Sequence, residues 1–237
     1  MKVLINMIMI SVSSMLLSSC GNFSSITGCP DGEIEWVDMV MINDIKYQYL
    51  PKPADVNNPL PIEKGRELGK VTFKMADRAC SNHKMKNGDA AYLEEGTSIY
   101  EIKGYPTSLI VVANDKAFLV DTNIKAKTAD NLFPLDGWVK NIYIESTEDG
   151  SRIQPYKQDS TKKFLDDWSQ LKLEDPESLY KKGKMEGDRI FLEIELNNGV
   201  SFRLVYWVNS NIFSNGVIGS KEIKNIIEDE LSHKISE

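Results

Sequence analysis

The chain opens on fifteen residues, 3–17 (VLINMIMISVSSMLL), that are apolar apart from Asn6 and three serines. That run falls short of the ~20 residues a membrane-spanning helix needs. From residue 31 onward the dominant signal is alternation with period two, the mark of half-buried strands. Segments 34–41 and 45–50 read as strands joined at Asn43-Asp44, residues suited to a tight hairpin turn. Segment 51–61 holds four prolines and reads as a loop. Residues 71–75 (VTFKM) alternate again, and 76–88 form a polar excursion carrying Cys80 and His83. Segment 97–103 (TSIYEIK) is a strand turned by Gly104-Tyr105-Pro106. Segments 108–113 and 116–121 bracket a second tight turn at Asn114-Asp115, and 139–146 (VKNIYIES) precedes the turn Glu148-Asp149-Gly150.

The period then becomes helical. Phe164, Leu165, Trp168 and Leu171 share one stripe of a helix over 159–173, with Asp159 or Ser160 as N-cap and Asp175-Pro176 as its end. Segments 189–196 and 200–208 flank Asn198-Gly199, the pair favoured in type I′ hairpins. Ile190, Leu192, Ile194 and Leu196 line one face of the first strand, and Val200, Phe202, Leu204, Tyr206 and Val208 one face of the second. A last helix over 221–232 places Ile223, Ile226, Ile227 and Leu231 on one stripe. Both helices need an apolar surface and the hairpin supplies one. The pattern predicts an α+β protein. An antiparallel, β-rich part over 31–150 (a sheet, a sandwich or a partly open barrel) precedes an α-β-β-α unit over 151–237. No repeat of 20–50 residues is apparent.

The apolar opening run has the build of a signal peptide over 1–19. Lys2 is the one charge before Asp31, and the run ends Leu17-Ser18-Ser19-Cys20. Small residues just before a cysteine are the pattern of a bacterial lipoprotein, cleaved ahead of Cys20 and acylated on its sulfur as a diacylglyceryl cysteine. The alternative is an ordinary secretory or membrane-embedded segment with a chance cysteine. A second acyl chain is needed because a single one gives only reversible membrane binding. Residues 20–30 then form a lipidated tether, and its Gly/Ser-type segment 21–28 has a root-mean-square reach of roughly 16 Å. The expected location is the extracytoplasmic face of the cell membrane, with the lipid bilayer as partner through Cys20.

Composition narrows the partners. Hydrophobic residues make up 41% of the chain, enough for a proper core. The net charge of −7 becomes −8 once Lys2 is cleaved away, which argues against nucleic acid and against a polybasic membrane-binding face. Lys181-Lys182-Gly183-Lys184, the densest basic cluster, reads as a solvated loop. With Cys20 assigned to lipid, Cys29 and Cys80 are left as an even pair. On the oxidising side of a membrane they can form a disulfide, with two free thiols as the alternative.

Candidate chemistry is sparse. Cys80 and His83, three residues apart, can supply two metal ligands beside Asp77 or Asp89, or a nucleophile and its base. No second ligand pair accompanies them, and a disulfide would remove Cys80 from either role. No nucleophile elbow, phosphate loop, dinucleotide fingerprint or zinc-protease motif is present, so no cofactor is implied. Glu94-Glu95, Glu145, Glu148-Asp149 and Asp166-Asp167 offer carboxylates for a glycosidase-like pair, against the reading of solvated faces in a chain with 35 Asp and Glu. Trp138, Trp168 and Trp207 suit either a ligand groove or the core.

Several segments resemble the uncharacterised YhfM-like lipoproteins of Gram-positive bacilli. The likeness rests on Asn87-Gly88-Asp89-Ala90-Ala91-Tyr92-Leu93, on the run from Glu95-Gly96-Thr97-Ser98 through Gly104-Tyr105, and on Val120-Asp121-Thr122-Asn123 with Lys125-Ala126-Lys127. A looser echo lies at Tyr206-Trp207-Val208-Asn209-Ser210. The likeness covers about the middle third of the chain and implies a lipidated extracytoplasmic protein with no established activity. The Cys29/Cys80 pair departs from it, and no functional residue carries over besides the lipidated cysteine. The expected function is a non-catalytic binding or interaction module of the cell envelope, with another envelope protein or a small ligand as partner. The alternative is an envelope hydrolase using an Asp/Glu pair or Cys80/His83.

Overall fold

A computed structural model describes Cys29, residues 34–51 and residues 62–233. The signal peptide, Cys20 and segment 21–28 lie outside the described residues, as does nearly all of the Pro-rich stretch. The chain forms two units. One comprises Met1–Glu35 and Asp77–Lys84; the other comprises Trp36–Ala76 and Met85–Glu237. In the first, Cys29 and Cys80 are joined by a disulfide, 51 residues apart in sequence.

The larger unit is mixed α+β and strand-rich, built on two curled sheets. The first half of the chain supplies β1 (Met39–Ile42), β2 (Ile45–Tyr49), β3 (Lys64–Lys70), β4 (Phe73–Lys74), the short α1 (Met75–Arg78), β5 (Asp89–Ala90), β6 (Ser98–Ile102), β7 (Ile110–Ala113) and β8 (Lys116–Asn123). Its strands form an eight-stranded sheet in the order β3-β6-β7-β8-β2-β1-β5-β4, antiparallel except for the β4–β5 pair. All four residues of β7 are fully buried, the continuous apolar run of a strand covered on both faces.

The second half supplies α2 (Ala129–Leu132), β9 (Val139–Glu145), β10 (Arg152–Pro155), α3 (Gln158–Trp168), β11 (Lys172–Leu173), α4 (Pro176–Lys181), β12 (Arg189–Leu196), β13 (Ser201–Trp207), β14 (Ile212–Phe213), β15 (Val217–Ile218) and α5 (Lys221–His233). Its strands form a seven-stranded sheet in the order β10-β9-β12-β13-β14-β15-β11. The expected boundary at residue 150 falls inside the β9–β10 hairpin, where Tyr143 pairs with Pro155, and β9 also pairs with β12. The second sheet therefore begins at Val139. One hydrophobic core draws on both sheets and on α3 and α5, with Phe164, Trp168, Tyr206, Phe213, Ile223 and Ile227 among its residues.

The turns show how local sequence sets register. Asn43 and Asp44 (φ 53° and 65°) and Asn114 and Asp115 (φ 49° and 59°) occupy the left-handed region, as a type I′ turn requires. Asn198-Gly199 differs from expectation: only Gly199 has positive φ, at 81°. Gly199 N–H bonds to Leu196 O at 2.9 Å and Leu196 N–H to Val200 O at 2.8 Å. That is a three-residue loop with a glycine bulge, because Asn197 joins the turn and the hairpin takes one extra residue. Two further expectations give way. Lys157, whose side chain makes no capping bond, is the N-cap of α3. Asp175-Pro176 starts α4: the Asp175 carboxylate accepts from Ser178 N–H at 2.8 Å, with Pro176 in the first turn.

Candidate functional site

The alternation of β9, β12 and β13 sends one set of side chains into the core and leaves a second set on the opposite face. That second face is charged. Register places Asn141 beside Glu195, Tyr143 beside Glu193, Glu193 beside Arg203, and Glu145 beside Phe191. Glu145, Glu193 and Glu195 are all buried, at 8%, 7% and 9% exposure. Buried carboxylates persist only with partners, and each has one.

Arg152, from β10, reaches Glu193 through Nε at 2.6 Å and Nη2 at 2.8 Å, a forked charge-assisted contact. Arg203 donates to Glu145 through Nε. Glu195 accepts from Asn141 Nδ2 at 2.8 Å, Tyr143 Oη at 3.1 Å and Lys140 Nζ at 3.2 Å. The guanidinium groups also lie over rings, Arg152 4.0 Å from the Tyr143 centroid and Arg203 4.5 Å from that of Phe191.

These partners fix the protonation states. Burial pushes Glu193 up, but hydrogen bonds from Arg152 and Ser201 and the Arg152 charge outweigh it and hold the carboxyl below its ordinary value. Burial likewise opposes Asn141, Lys140 and Tyr143 at Glu195, and again the bonds win. Desolvation and the neighbouring Glu195 push the Tyr143 hydroxyl up. A general acid needs a carboxyl raised toward neutrality, and Glu193 and Glu195 are tuned the other way. Asp130, raised by burial and by Asp136, stands apart from this face.

Beside the charged face runs a groove of about 1440 Å3. Glu145, Arg152, Glu193 and Arg203 border it from the charged face, Phe202 and Leu204 from the apolar side of β13, and Tyr49 and Leu119 from the first sheet. The turn after β9 closes one flank. There Asp149 accepts from Ser151 N–H at 3.0 Å and Ser151 Oγ at 2.8 Å, which hold its carboxyl down at about 2.

The other residues singled out in the sequence are scattered. Cys80 is committed to its bond with Cys29, which removes it as nucleophile or metal ligand. His83 donates its N–H to Cys80 O at 2.9 Å, the mark of a local turn. Among the described residues no three His, Cys, Asp or Glu side chains gather around a common metal position. Glu94 pairs with Lys74 at 2.7 Å, and Asp167 takes a bond from Ser220 Oγ. Trp168 is core, and Trp138 packs on Tyr105 with ring centroids 5.0 Å apart. Of the proposed carboxylates, Glu145 and Asp149 border the groove. Glu193, Glu195, Arg152 and Arg203 carry no local signal of a site, because alternating charges look like a solvated face. The one pointer in the sequence is that Glu193 and Glu195 are interleaved with four core residues in a single strand.

No protein family, curated protein or solved structure matches the chain.

Proposed function

We propose that this chain is a lipoprotein anchored through Cys20 on the extracytoplasmic face of the cell membrane, acting as a non-catalytic binding module with the groove beside β13 as its binding face. The observation that carries the binding reading is the pairing of every buried glutamate along the groove with a cation or a set of donors. A face so arranged presents fixed charge and shape rather than a proton to transfer. The Cys29–Cys80 bond supports the location, since such bonds persist in oxidising compartments. The sequence leading to Cys20 and the YhfM-like resemblance support the anchor.

One experiment tests both halves. Cells producing the chain with a photoreactive residue at Thr122, an exposed groove position, are labelled with radioactive palmitate and irradiated. The expected result is a labelled membrane-fraction protein with a discrete adduct, absent when the photoreactive residue stands at exposed Lys70 instead. Cys20→Ala should abolish the label and release the protein. An unlabelled wild type overturns the anchor; equal adducts from both positions overturn the binding face.

A further inference from the structure

The register of β12 on β13 decides where the backbone of β13 points. With Leu196 N–H bonded to Val200 O, the residues Val200, Phe202, Leu204 and Tyr206 turn their main-chain groups toward β12. Ser201, Arg203, Val205 and Trp207 turn theirs the other way. Val205 and Trp207 are met there: Ser214 N–H donates to Val205 O at 2.8 Å, and Trp207 pairs with Ile212. Beside Ser201 and Arg203 no strand lies among the described residues. Four ladder groups, two N–H and two C=O, thus face the groove.

The outer strands of both sheets are treated differently. β3 carries Lys64, Arg66 and Lys70 and two shifts of register; β10 has a shift and Pro155; β4 and β11 have two residues each. Those are devices that discourage a strand from taking a partner. The stretch Ser201–Leu204 has no proline and no shift of register, and its one charge, Arg203, is turned to Glu145. Its two ends carry buried polar atoms without partners, Nδ2 of Asn198 at one end and both Nδ2 and Oδ1 of Asn215 at the other, and both residues border the groove.

We propose that this open edge takes up an extended peptide segment of a partner protein as an added strand, one in which basic and apolar side chains alternate. The proposal rests on the binding-module reading and names its ligand. Side chains of a strand laid along Ser201–Leu204 alternate between two sides. One side is the charged face, where Ser201 and Arg203 come first and Glu193, Glu195 and Glu145 lie behind them on β12 and β9; the other holds Phe202, Leu204, Tyr49 and Leu119. The groove as a whole is lined by five acids, Asp121, Glu145, Asp149, Glu193 and Glu195, against Arg152 and Arg203, and Lys140 pairs with Glu195 from outside the lining, which leaves an excess of two negative charges. Charge selects Lys or Arg on the first side, and the apolar wall selects Val, Leu or Ile on the second.

The test uses the full-length protein in detergent micelles and a fluorescein-labelled heptapeptide of alternating lysine and valine, followed by fluorescence anisotropy. Saturable binding is expected, weakened by salt. The same peptide N-methylated on the amides of one edge should lose at least about tenfold in affinity, the consequence of two main-chain hydrogen bonds. A glutamate–valine peptide should not bind. Ser201→Pro, which removes an edge N–H, should reproduce the N-methyl loss with an unchanged circular dichroism spectrum. Should that variant unfold, the N-methylated peptide on the wild type answers the same question. Absence of binding, equal binding of the glutamate peptide, or indifference to N-methylation overturns the proposal. Self-association of the chain through Ser201, seen as a dimer lost in the proline variant, also overturns it. Each of these leaves the palmitate result untouched, so this proposal and the anchor fail separately.

Discussion

Arg152 holds Glu193 in a fork across two strands, Nε at 2.6 Å and Nη2 at 2.8 Å, although the two residues lie 41 positions apart. The contact fastens β10 to β12 over the intervening β9. Removing the guanidinium leaves a carboxylate 7% exposed without its main partner. Arg152 itself is 45% exposed, so solvent screens part of the interaction. Arg152→Ala should cost about 1.5 kcal/mol in urea unfolding at neutral pH. Arg152→Lys should recover only part of that, because an ammonium cannot fork. A lysine variant as stable as wild type would show that geometry is irrelevant there.

Acid should weaken this face. The folded-state values of Glu193 and Glu195 lie below the ordinary 4.5, so the unfolded chain binds protons more readily than the folded one. The stability they contribute is fully present above about pH 5 and is lost as pH falls through the lowered folded values. Urea midpoints of the wild type should therefore drop on going from pH 5 to pH 3. Glu193→Gln combined with Glu195→Gln should start lower at neutral pH and drop less. Parallel profiles would exclude these two carboxyls as a source of the acid dependence.

Legibility of the sequence follows the range of the interactions. Asn43-Asp44 and Asn114-Asp115 announce their hairpins because two left-handed residues suffice to make the turn. The apolar faces of β12 and β13 are equally plain, since core packing imposes period two on them. β3 (KGRELGK) leaves no such trace, because an edge strand with two shifts of register keeps no clean alternation. The charged face is hidden for a different reason. Glu193 meets Arg152 only because β9 lies between β10 and β12, a pairing no local pattern encodes. Asp175-Pro176 misleads because the same two residues end one helix or begin another, and only Ser178 N–H shows which.

Trp168 tests the core. It is 1% exposed, stacks on Phe164 at 5.6 Å, meets Phe213 edge-on at 5.2 Å, and donates Nε1–H to Phe133 O at 3.0 Å. Trp168→Ala should cost about 4 kcal/mol through the cavity it leaves. Trp168→Phe keeps a ring but strands the buried carbonyl, and should cost about 2 kcal/mol. Chemical denaturation orders the two; equal losses would mean the hydrogen bond, not the ring, dominates.

Gly216 and Gly96 share a positive φ, 86° and 88°, yet face different surroundings. A Cβ on Gly216 would meet Glu174 O at 2.1 Å, whereas one on Gly96 meets nothing within 4 Å. Gly96→Ala should cost only the left-handed backbone term, about 1 kcal/mol. Gly216→Ala adds a collision with main chain that cannot swing aside, so its thermal midpoint should fall clearly further. Similar midpoints would show that the β14–β15 turn shifts to admit a methyl group.

The Cys29–Cys80 bond closes a loop of 51 residues of sequence separation. By loop entropy such a cross-link disfavours the unfolded chain by about 4 kcal/mol at most. Peptide mapping of the non-reduced protein should recover Cys29 and Cys80 in one linked fragment. The double variant Cys29→Ser, Cys80→Ser should unfold at lower urea than wild type, and dithiothreitol should lower the wild type to the same midpoint without shifting the variant. Because neither cysteine lies among the residues bordering the groove, peptide binding at the β13 edge should survive reduction. Loss of binding on reduction, with the variant behaving likewise, would mean the bond does more than restrain the unfolded chain.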